Sequence, residues 1–359
     1  MAQPQDPWAY CRAIAHLSQT LGWPVFAEGL SPVRNAADLN PGLISTYDLI
    51  LRHPPLARQL RPHMVIQVGE LPTSKELRSW LSSSQPQQWV VDPRRRNLDP
   101  LHLQTTRICL SVEQLAQTLP PLEALQPSHV YWQQWCTAEA TVRQRLDQTL
   151  EELSGLFEGK AAWLLSQTLP PGTPLFISSS MPVRDVECFW QPNNRGIRPF
   201  FNRGANGIDG SLSTALGIAH GQPSSVMLTG DLALLHDTNG FLIQQHWLGH
   251  LTIILINNNG GGIFEMLAIA KFEPPFEDFF ATPQSIDFAK LCATYGVEHE
   301  LIQSWEQLQQ RLQVLPTRGI RVLEIPTNRR EDARWRQEHL GQFAAQQAEP
   351  GSESPPTYG

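Results

Sequence analysis

The sequence predicts an α/β fold made of two domains, each built on a doubly wound parallel sheet. Short apolar runs recur along the 359 residues and alternate with segments whose apolar side chains repeat at helical spacing. Strands that alternate with helices are typical of parallel sheets covered by helices on both faces. The composition, 41% hydrophobic and 17% charged, is ordinary for a globular protein and sufficient for two such domains.

The first domain is predicted over residues 1–125. A helix is expected over 8–22, where apolar residues recur at helical spacing. The predicted strands are 25–27, 64–68, 89–91 and 108–110, and the predicted helices between them are 74–81 and 112–119. Prolines between 120 and 127 predict the end of this domain.

The rest of the chain is predicted to hold a connection, a second domain and a tail. Residues 126–170 are predicted as a linker and helical connection, with a break at Gly155 or Gly159. Strands alternate with helices again over 171–340, which is the predicted second domain. Residues 341–359 are rich in Gln, Ala, Pro and Ser and are predicted to be disordered.

Composition argues against several classes of function. The net charge of −7 disfavours a general nucleic-acid surface. The five cysteines are odd in number and none forms a Cys-x-x-Cys pair, so we expect reduced thiols in a cytoplasmic protein. The longest strongly apolar run, 251–256, is far below the ~20 residues of a membrane helix, so no membrane insertion is expected.

Two polar turns in the second domain carry the strongest functional signal. Gly230-Asp231 follows the apolar run 226–228, and an Asn- and Gly-rich turn over 257–261 follows the apolar run 251–256. Asp231 and Asn258 are 27 positions apart, which is the length of a strand–helix–strand crossover. A right-handed crossover brings both turns to the carboxyl edge of a parallel sheet, where such sheets bind ligands.

The residue types in these turns predict a site for a hard cation that holds a phosphorylated ligand. Asp231 offers a carboxylate oxygen, Asn258 an amide oxygen and Gly260 a backbone carbonyl. Mg²⁺ prefers about six oxygen ligands and takes only one or two carboxylates together with phosphates and water. A site with a single carboxylate holds bare Mg²⁺ weakly, so an anionic ligand such as a diphosphate is expected.

These residues resemble the binding motif of thiamin diphosphate enzymes, in which Gly-Asp and a later Asn-Asn flank about 25 residues. Leu232 stands where most of these enzymes have a second Gly. With the segments 178–185, 202–210 and 257–264, the pattern resembles the 2-succinyl-5-enolpyruvyl-6-hydroxy-3-cyclohexene-1-carboxylate (SEPHCHC) synthase family. The resemblance implies thiamin diphosphate with Mg²⁺, or Mn²⁺ in its place. It also implies decarboxylation of 2-oxoglutarate and addition of the resulting succinic semialdehyde carbanion to isochorismate, in menaquinone or phylloquinone synthesis.

The resemblance also implies roles for individual residues. Gly230, Leu232 and Gly261 would surround the diphosphate, and Ile208 would press the two cofactor rings into a V. Arg184, Arg203 and Ser180 would contact the dicarboxylate substrates, for which the planar arginine fork is suited. The predicted pocket is completed by Ile263, Phe264 and Leu267, and by Lys75 from the first domain, where Glu76 stands in place of a second basic residue.

Enzymes of this superfamily carry a glutamate that hydrogen-bonds the pyrimidine ring, in a separate N-terminal domain, and we find no counterpart of it here. We therefore expect that about 200 residues of the family pattern precede this match, and that the chain alone is inactive. A truncated gene product and one half of a split enzyme are both compatible with this expectation. The expected assembly is a homodimer or tetramer, or a complex with a chain that carries the pyrimidine-binding domain.

Two other functions remain open from the sequence. One is a thiamin-dependent decarboxylase or synthase that acts on another 2-oxo acid, and the other is a non-catalytic subunit that binds the cofactor. A nucleotide-binding Rossmann domain is disfavoured because the chain lacks a Gly-x-Gly-x-x-Gly turn.

Overall fold

The computed structural model describes residues 4–94, 96–119, 130–204 and 207–345. The predicted proline-rich stretch over 120–127 lies outside these residues, as does the part of the predicted tail beyond 345. Within them, no helix is long and apolar enough to cross a membrane.

A six-stranded parallel sheet organises the second half of the chain. Its strands are β6 (Pro174–Ile177), β7 (Arg198–Phe201), β8 (Ser225–Gly230), β9 (His250–Asn257), β10 (Glu298–Leu301) and β11 (Gly319–Pro326). They lie side by side in the order β10-β11-β9-β8-β6-β7, and every neighbouring pair is parallel. The central strands β8 and β9 are buried on both faces, as their unbroken apolar runs predict.

The register of this sheet places the two polar turns together. Gly230, the last residue of β8, pairs with Ile256 near the end of β9. Asp231 and Asn258 therefore leave the sheet at the same carboxyl edge, as the crossover predicts. The crossover itself is less regular than a single helix, because it consists of a short helix followed by a 3₁₀ segment over Thr238–His246.

Helices cover this sheet and connect it to the first half. They are α6 (Val130–Glu152), α7 (Glu158–Thr168), α8 (Met181–Phe189), α9 (Ser211–Ala219), α10 (Asp231–Leu235), α11 (Phe288–Tyr295), α12 (Trp305–Gln313) and α13 (Arg329–His339). The predicted break of the long helical connection falls between Glu152 and Glu158, so it includes Gly155, whereas Gly159 lies inside α7.

The first half of the chain contains two smaller parallel sheets. Strands β1 (Val25–Phe26) and β2 (Leu43–Ile44) form one sheet, and β3 (Met64–Val68), β4 (Gln87–Val91) and β5 (Gln104–Ile108) form the other. The helices around them are α1 (Pro7–Leu21), α2 (Tyr47–Leu51), α3 (Pro54–Gln59), α4 (Lys75–Ser84) and α5 (Val112–Gln117). The α/β class with doubly wound parallel sheets is thus confirmed, whereas the exact domain bounds stay a prediction.

Buried polar contacts join the two halves around α8. The fully buried Arg34 donates hydrogen bonds to the backbone carbonyls of Ala27, Ser45 and Glu187. The carboxylate of Glu187 accepts the Gly29 N–H at 2.5 Å. Burial raises the pKa of Glu187 to about 7. These bonds hold the C-terminal part of α8 in place against the first half of the chain.

The prediction of a tail from residue 341 is wrong for its first five residues. Phe343 and Ala344 are buried and belong to the main hydrophobic core. Arg145 donates to the backbone carbonyls of Phe343 and Ala345, at 3.0 and 2.6 Å. The low apolar content of the segment does not indicate these contacts, because one phenylalanine and the backbone carbonyls of Phe343 and Ala345 are sufficient to dock it.

Candidate functional site

The two polar turns meet at the carboxyl edge of the large sheet. Asp231 is buried, and its Oδ2 accepts the backbone N–H of Gly260 at 2.8 Å. Its Oδ1 accepts the N–H of Leu232 at 2.7 Å. Burial raises the pKa of Asp231 to about 6, and the N–H donors of Leu232 and Gly260 oppose that shift. The carboxylate is therefore fixed in orientation between the two loops.

Asn258 is buried beside this carboxylate, and only one of the two polar atoms of its side-chain amide has a hydrogen-bond partner. Its amide nitrogen donates to Glu158 Oε2 at 3.0 Å. Its amide oxygen is buried and finds no hydrogen-bond partner among the described residues. A buried amide oxygen without a donor costs free energy unless something else binds it. This oxygen can therefore accept a bond from a ligand donor or coordinate a cation.

Gly260 must be glycine for the Asn-rich turn to close. Its φ is +128°, a conformation that side chains rarely adopt. A Cβ at this position would lie 2.3 Å from the carbonyl oxygen of Ala281. The next residue, Gly261, donates its N–H to that same carbonyl at 2.7 Å. The turn is thereby pressed against the π-helical segment Glu277–Ala281.

Arg329 also stabilises the Asn-rich turn. Its guanidinium donates to the carbonyl oxygen of Asn259 at 2.9 Å, pairs with Glu277 at 2.5 Å and lies 2.9 Å from Glu265. The arginine hydrogen bond is the main reason that the pKa of Glu277 is lowered. The bond from Arg329 therefore fixes the orientation of the Asn259 carbonyl and with it the Asn-rich turn.

A buried charge cluster supports Asn258. Arg336 donates to Glu158 at 2.9 Å and to Asp185 at 2.5 Å, and all three side chains are at most 4% exposed. Burial raises the pKa of Asp185 to about 7 and that of nearby Asp332 to about 8. Burial acts to lower the pKa of Arg336, but Asp185 and Glu158 outweigh it and raise that pKa. Arg336 thus compensates the carboxylate that aims the Asn258 amide.

The donor set fits a single hard cation that shares its ligands with an anion. Asp231 supplies carboxylate oxygen and Asn258 an amide oxygen without a partner. The Gly260 carbonyl accepts one bond, from the Gly262 N–H at 2.9 Å, and keeps a second lone pair. Among the described residues there is no group of three or more His, Cys, Asp and Glu side chains that could hold a metal. Mg²⁺ combined with phosphate oxygens suits such a poorly charged set.

The two predicted arginines lie together near this edge. Arg184, on α8, donates to the carbonyl oxygen of Ser180 at 2.7 Å. Burial and the neighbouring charge of Arg203 lower the pKa of Arg184. Ser180 caps α8 with a φ of +78°, which is rare for a residue with a side chain. Two half-buried cations so close together predict an anionic ligand between or beside them.

The first half of the chain reaches the site through the turn before α4. Arg203 donates to the hydroxyl of Thr73 at 3.3 Å. Glu28 accepts both the N–H and the hydroxyl of Thr73, at 2.8 and 2.6 Å. Lys75 follows on this turn and is exposed. Glu28 is therefore a buried residue that positions the turn.

The remaining predicted residues lie on the loops around the turns. Ile208, Leu232, Ile263 and Phe264 are partly buried, and Leu267 is 41% exposed. The Ile208 carbonyl accepts the Ser211 hydroxyl at 2.7 Å, at the start of α9. The ring of Phe264 packs edge-on against Phe280 at 5.6 Å between centroids. Farther along the chain, Phe272 is 62% and Phe279 is 77% exposed.

Sequence reasoning missed Glu158, Arg329 and Arg336. Glu158 begins α7, within the segment predicted only as a connection. Arg329 and Arg336 lie on α13, whose residues are mostly charged, so nothing distinguishes them from solvated neighbours. The one available signal was Glu158 itself, an acidic residue at the start of an otherwise apolar helix.

Comparison with known proteins identifies two matched regions of the chain and several relatives. Residues 8–177 match the family described as "Middle domain of thiamine pyrophosphate", and residues 189–325 match "Thiamine pyrophosphate enzyme, C-terminal TPP binding domain". Proteins named 2-succinyl-5-enolpyruvyl-6-hydroxy-3-cyclohexene-1-carboxylate synthase are 66% identical over 345 residues in Nostoc sp. and in Trichormus variabilis, which is 96% of this chain and 59% of each relative. The Gloeothece citriformis protein of that name is 62% identical over 339 residues, covering 94% of this chain and 58% of its own length.

The chain thus spans about three fifths of the length of these relatives. Both matched regions follow one another along the chain in the order expected of a thiamin diphosphate enzyme. The loops that carry Asp231 and Asn258 lie within the matched cofactor-binding region. The chain therefore belongs to the thiamine pyrophosphate enzyme family, among relatives that carry the name SEPHCHC synthase.

Proposed function

We propose that this chain supplies the diphosphate- and metal-binding part of a SEPHCHC synthase. The observation that carries the proposal is the buried pair of Asp231 and Asn258, in which the amide oxygen of Asn258 has no partner among the described residues. Asp231, Asn258 and the Gly260 carbonyl would hold Mg²⁺ or Mn²⁺, and Gly230, Leu232 and Gly261 would surround the diphosphate. Bound thiamin diphosphate supplies the nucleophilic carbon and the electron sink that decarboxylation of a 2-oxo acid needs.

The protein groups in this proposal bind and orient. Ile208 lies three residues before α9 and would support the cofactor in its bent form. Ser180, Arg184 and Arg203 would bind the carboxylates of 2-oxoglutarate and isochorismate. Ile263, Phe264 and Leu267 would form the apolar wall, with Lys75 approaching from the first half. The pairing of Arg184 with Arg203 favours dicarboxylates over substrates that carry a single carboxylate.

The proposed partner is another polypeptide surface at the open side of the site. Phe272 and Phe279 are largely exposed next to the Gly-rich turn. Large apolar side chains grouped on a surface mark contact sites. We propose either a homodimer or tetramer, or a separate chain that carries the pyrimidine-binding domain, in the cytoplasm.

Calorimetry tests the cofactor site directly. The chain is titrated with thiamin diphosphate in the presence of Mg²⁺, and again with a chelator. We expect saturable binding only when Mg²⁺ is present, because Asp231 and Asn258 would hold the metal and the metal would supply the positive charge that the diphosphate needs. Equal binding with and without the metal would contradict the assigned ligands. Decarboxylation of 2-oxoglutarate is then assayed for the chain alone and after mixing with the remainder of the Nostoc relative.

Removing the Arg184 side chain is expected to weaken isochorismate binding. A charged hydrogen bond is worth about 1.5–3 kcal/mol, so Arg184→Ala should raise the KM for isochorismate about tenfold or more. The KM for 2-oxoglutarate and the affinity for thiamin diphosphate serve as internal references. Arg198→Ala is the matched control, because Arg198 is an exposed arginine on β7. An unchanged KM in Arg184→Ala would remove this residue from the substrate site.

A further inference from the structure

The first two asparagines of the Asn-rich turn are each held by a buried glutamate. The amide nitrogen of Asn257 donates to Glu324 Oε1 at 2.6 Å. The amide nitrogen of Asn258 donates to Glu158 Oε2 at 3.0 Å. The amide oxygen of Asn257 accepts the Asn259 N–H within the turn at 3.4 Å. Only the oxygen of Asn258 is buried without a partner among the described residues, so only this asparagine has an oxygen to offer to a ligand.

The carboxylate of Glu158 decides which end of the Asn258 amide is offered. An ionised carboxylate only accepts hydrogen bonds, so the amide nitrogen of Asn258 must face it. The amide oxygen then takes the opposite side, where the proposed cation would bind. Gly262 packs closely against the nitrogen, since a Cβ there would lie 2.7 Å from it. The side chain is therefore confined, but the two ends of its amide can exchange places with little change in volume.

Arg336 in turn fixes the two oxygens of the Glu158 carboxylate. It donates to Glu158 Oε1 at 2.9 Å, whereas Oε2 accepts from Asn258. Arginine has no acceptor, so a glutamine at position 158 would have to place its single side-chain oxygen toward Arg336. The NH₂ group of that glutamine would then face Asn258. The Asn258 amide would reverse to meet it, and its own NH₂ group would turn toward the cation site.

We propose that Glu158 is a positioning residue of the cofactor site, which holds the amide oxygen of Asn258 toward the cation and thereby sets the affinity for Mg²⁺. An amide NH₂ group does not coordinate Mg²⁺, so reversal of the amide would remove one of the assigned ligands. Replacing groups that orient metal ligands typically lowers metal affinity about 10–100-fold. This inference rests on the proposed binding of thiamin diphosphate with Mg²⁺, and it adds a residue that lies outside both polar turns.

Glu158→Gln tests the proposal in the full chain. Binding of thiamin diphosphate is measured by calorimetry at increasing Mg²⁺ concentrations, after urea unfolding has shown that the variant is folded. We expect the Mg²⁺ concentration for half-maximal binding to rise about tenfold or more, with binding recovered at high Mg²⁺. Glu324→Gln is the matched control, because it replaces the glutamate that holds the neighbouring Asn257. It should leave that Mg²⁺ concentration unchanged.

A second replacement should rescue the first. In a chain that carries both Glu158→Gln and Asn258→Asp, the glutamine NH₂ donates to one oxygen of the new carboxylate and leaves the other for the cation. We expect the Mg²⁺ requirement of this double variant to return to that of the unaltered chain or to fall below it. Asn258→Asp alone places two carboxylates against each other, which disfavours their charged forms. It should therefore need more Mg²⁺ than the double variant.

The results separate this inference from the proposed function. If the unaltered chain does not bind thiamin diphosphate at any Mg²⁺ concentration, both are overturned. If it binds but Glu158→Gln behaves as Glu324→Gln does, only the positioning role of Glu158 is overturned. That role also fails if Asn258→Asp needs the same Mg²⁺ concentration with and without Glu158→Gln. If Glu158→Gln does not fold by itself, this last comparison decides the question.

Discussion

An Asp231→Asn variant is expected to lose Mg²⁺-dependent binding of thiamin diphosphate while remaining folded. Asparagine keeps the shape of the side chain and an oxygen that accepts the Gly260 N–H, but it removes the only carboxylate assigned to the cation. We expect the affinity measured by calorimetry to fall about 100-fold or more, equivalent to about 2.7 kcal/mol. Because the amide nitrogen of asparagine would face the Leu232 N–H, which now donates to Oδ1, stability in urea should fall by about 1–3 kcal/mol.

Asp278→Asn is the matched control for this experiment. Asp278 is exposed on the π-helical segment Glu277–Ala281, so its replacement removes one negative charge near the site without touching the Asn-rich turn. Its affinity for the cofactor should equal that of the unaltered chain. If Asp231→Asn binds as tightly as Asp278→Asn, Asp231 is not a metal ligand and the assignment of the site fails.

An Arg336→Met variant is expected to be the most destabilised of the single replacements considered. Methionine fills much of the same volume but leaves Glu158 and Asp185 buried without their guanidinium partner. Breaking a buried ion pair from one side costs about 3–5 kcal/mol, which urea unfolding at about pH 7 will measure. Arg334→Met, on the exposed side of α13, should change stability by less than about 0.5 kcal/mol.

The loss of stability in Arg336→Met should depend on pH, and the direction of that dependence follows from the neighbouring carboxyl groups. Burial raises the pKa of Asp185 to about 7 and that of Asp332 to about 8, so the folded chain holds protons that the unfolded chain has released. Their contribution to stability is present below the unfolded pKa of about 4 and is lost as the pH rises through 7 to 8. Removing Arg336 raises these pKa values further, so the defect should shrink in mild acid. A defect that grows in acid, or equals that of Arg334→Met, would contradict the assigned role.

Much of the second half could be predicted from sequence because its signals are local. The apolar runs of β8 and β9 and the turns that follow them are contiguous in the chain, and their parallel pairing follows from the length of the crossover. Asp231 and Gly260 could therefore be placed together before any coordinates were known. The break near Gly155 was also visible, since glycine interrupts a helical pattern.

What could not be predicted depends on contacts between distant segments. Glu158 reaches Asn258 across 100 positions, and Arg336 reaches Glu158 across 178. No periodicity relates such residues, and a charged side chain on a helix is usually solvated. The docking of Phe343 was missed for the same reason, because its partners lie on α6 and in the core rather than nearby in sequence.

Because Glu158 holds the Asn258 amide, the orientation of this side chain depends on residues that lie outside the signature turn. The Asn258 amide is oriented by Glu158 at the start of α7 and, through Arg336, by α13. A gene that stopped after β11 would still encode every residue of the motif and Glu158, but it would lack Arg336, so the carboxylate that holds the Asn258 amide would be buried without its guanidinium partner. Searches that score the signature alone would therefore count such a product as able to bind the cofactor, although the amide oxygen of Asn258 was no longer firmly held.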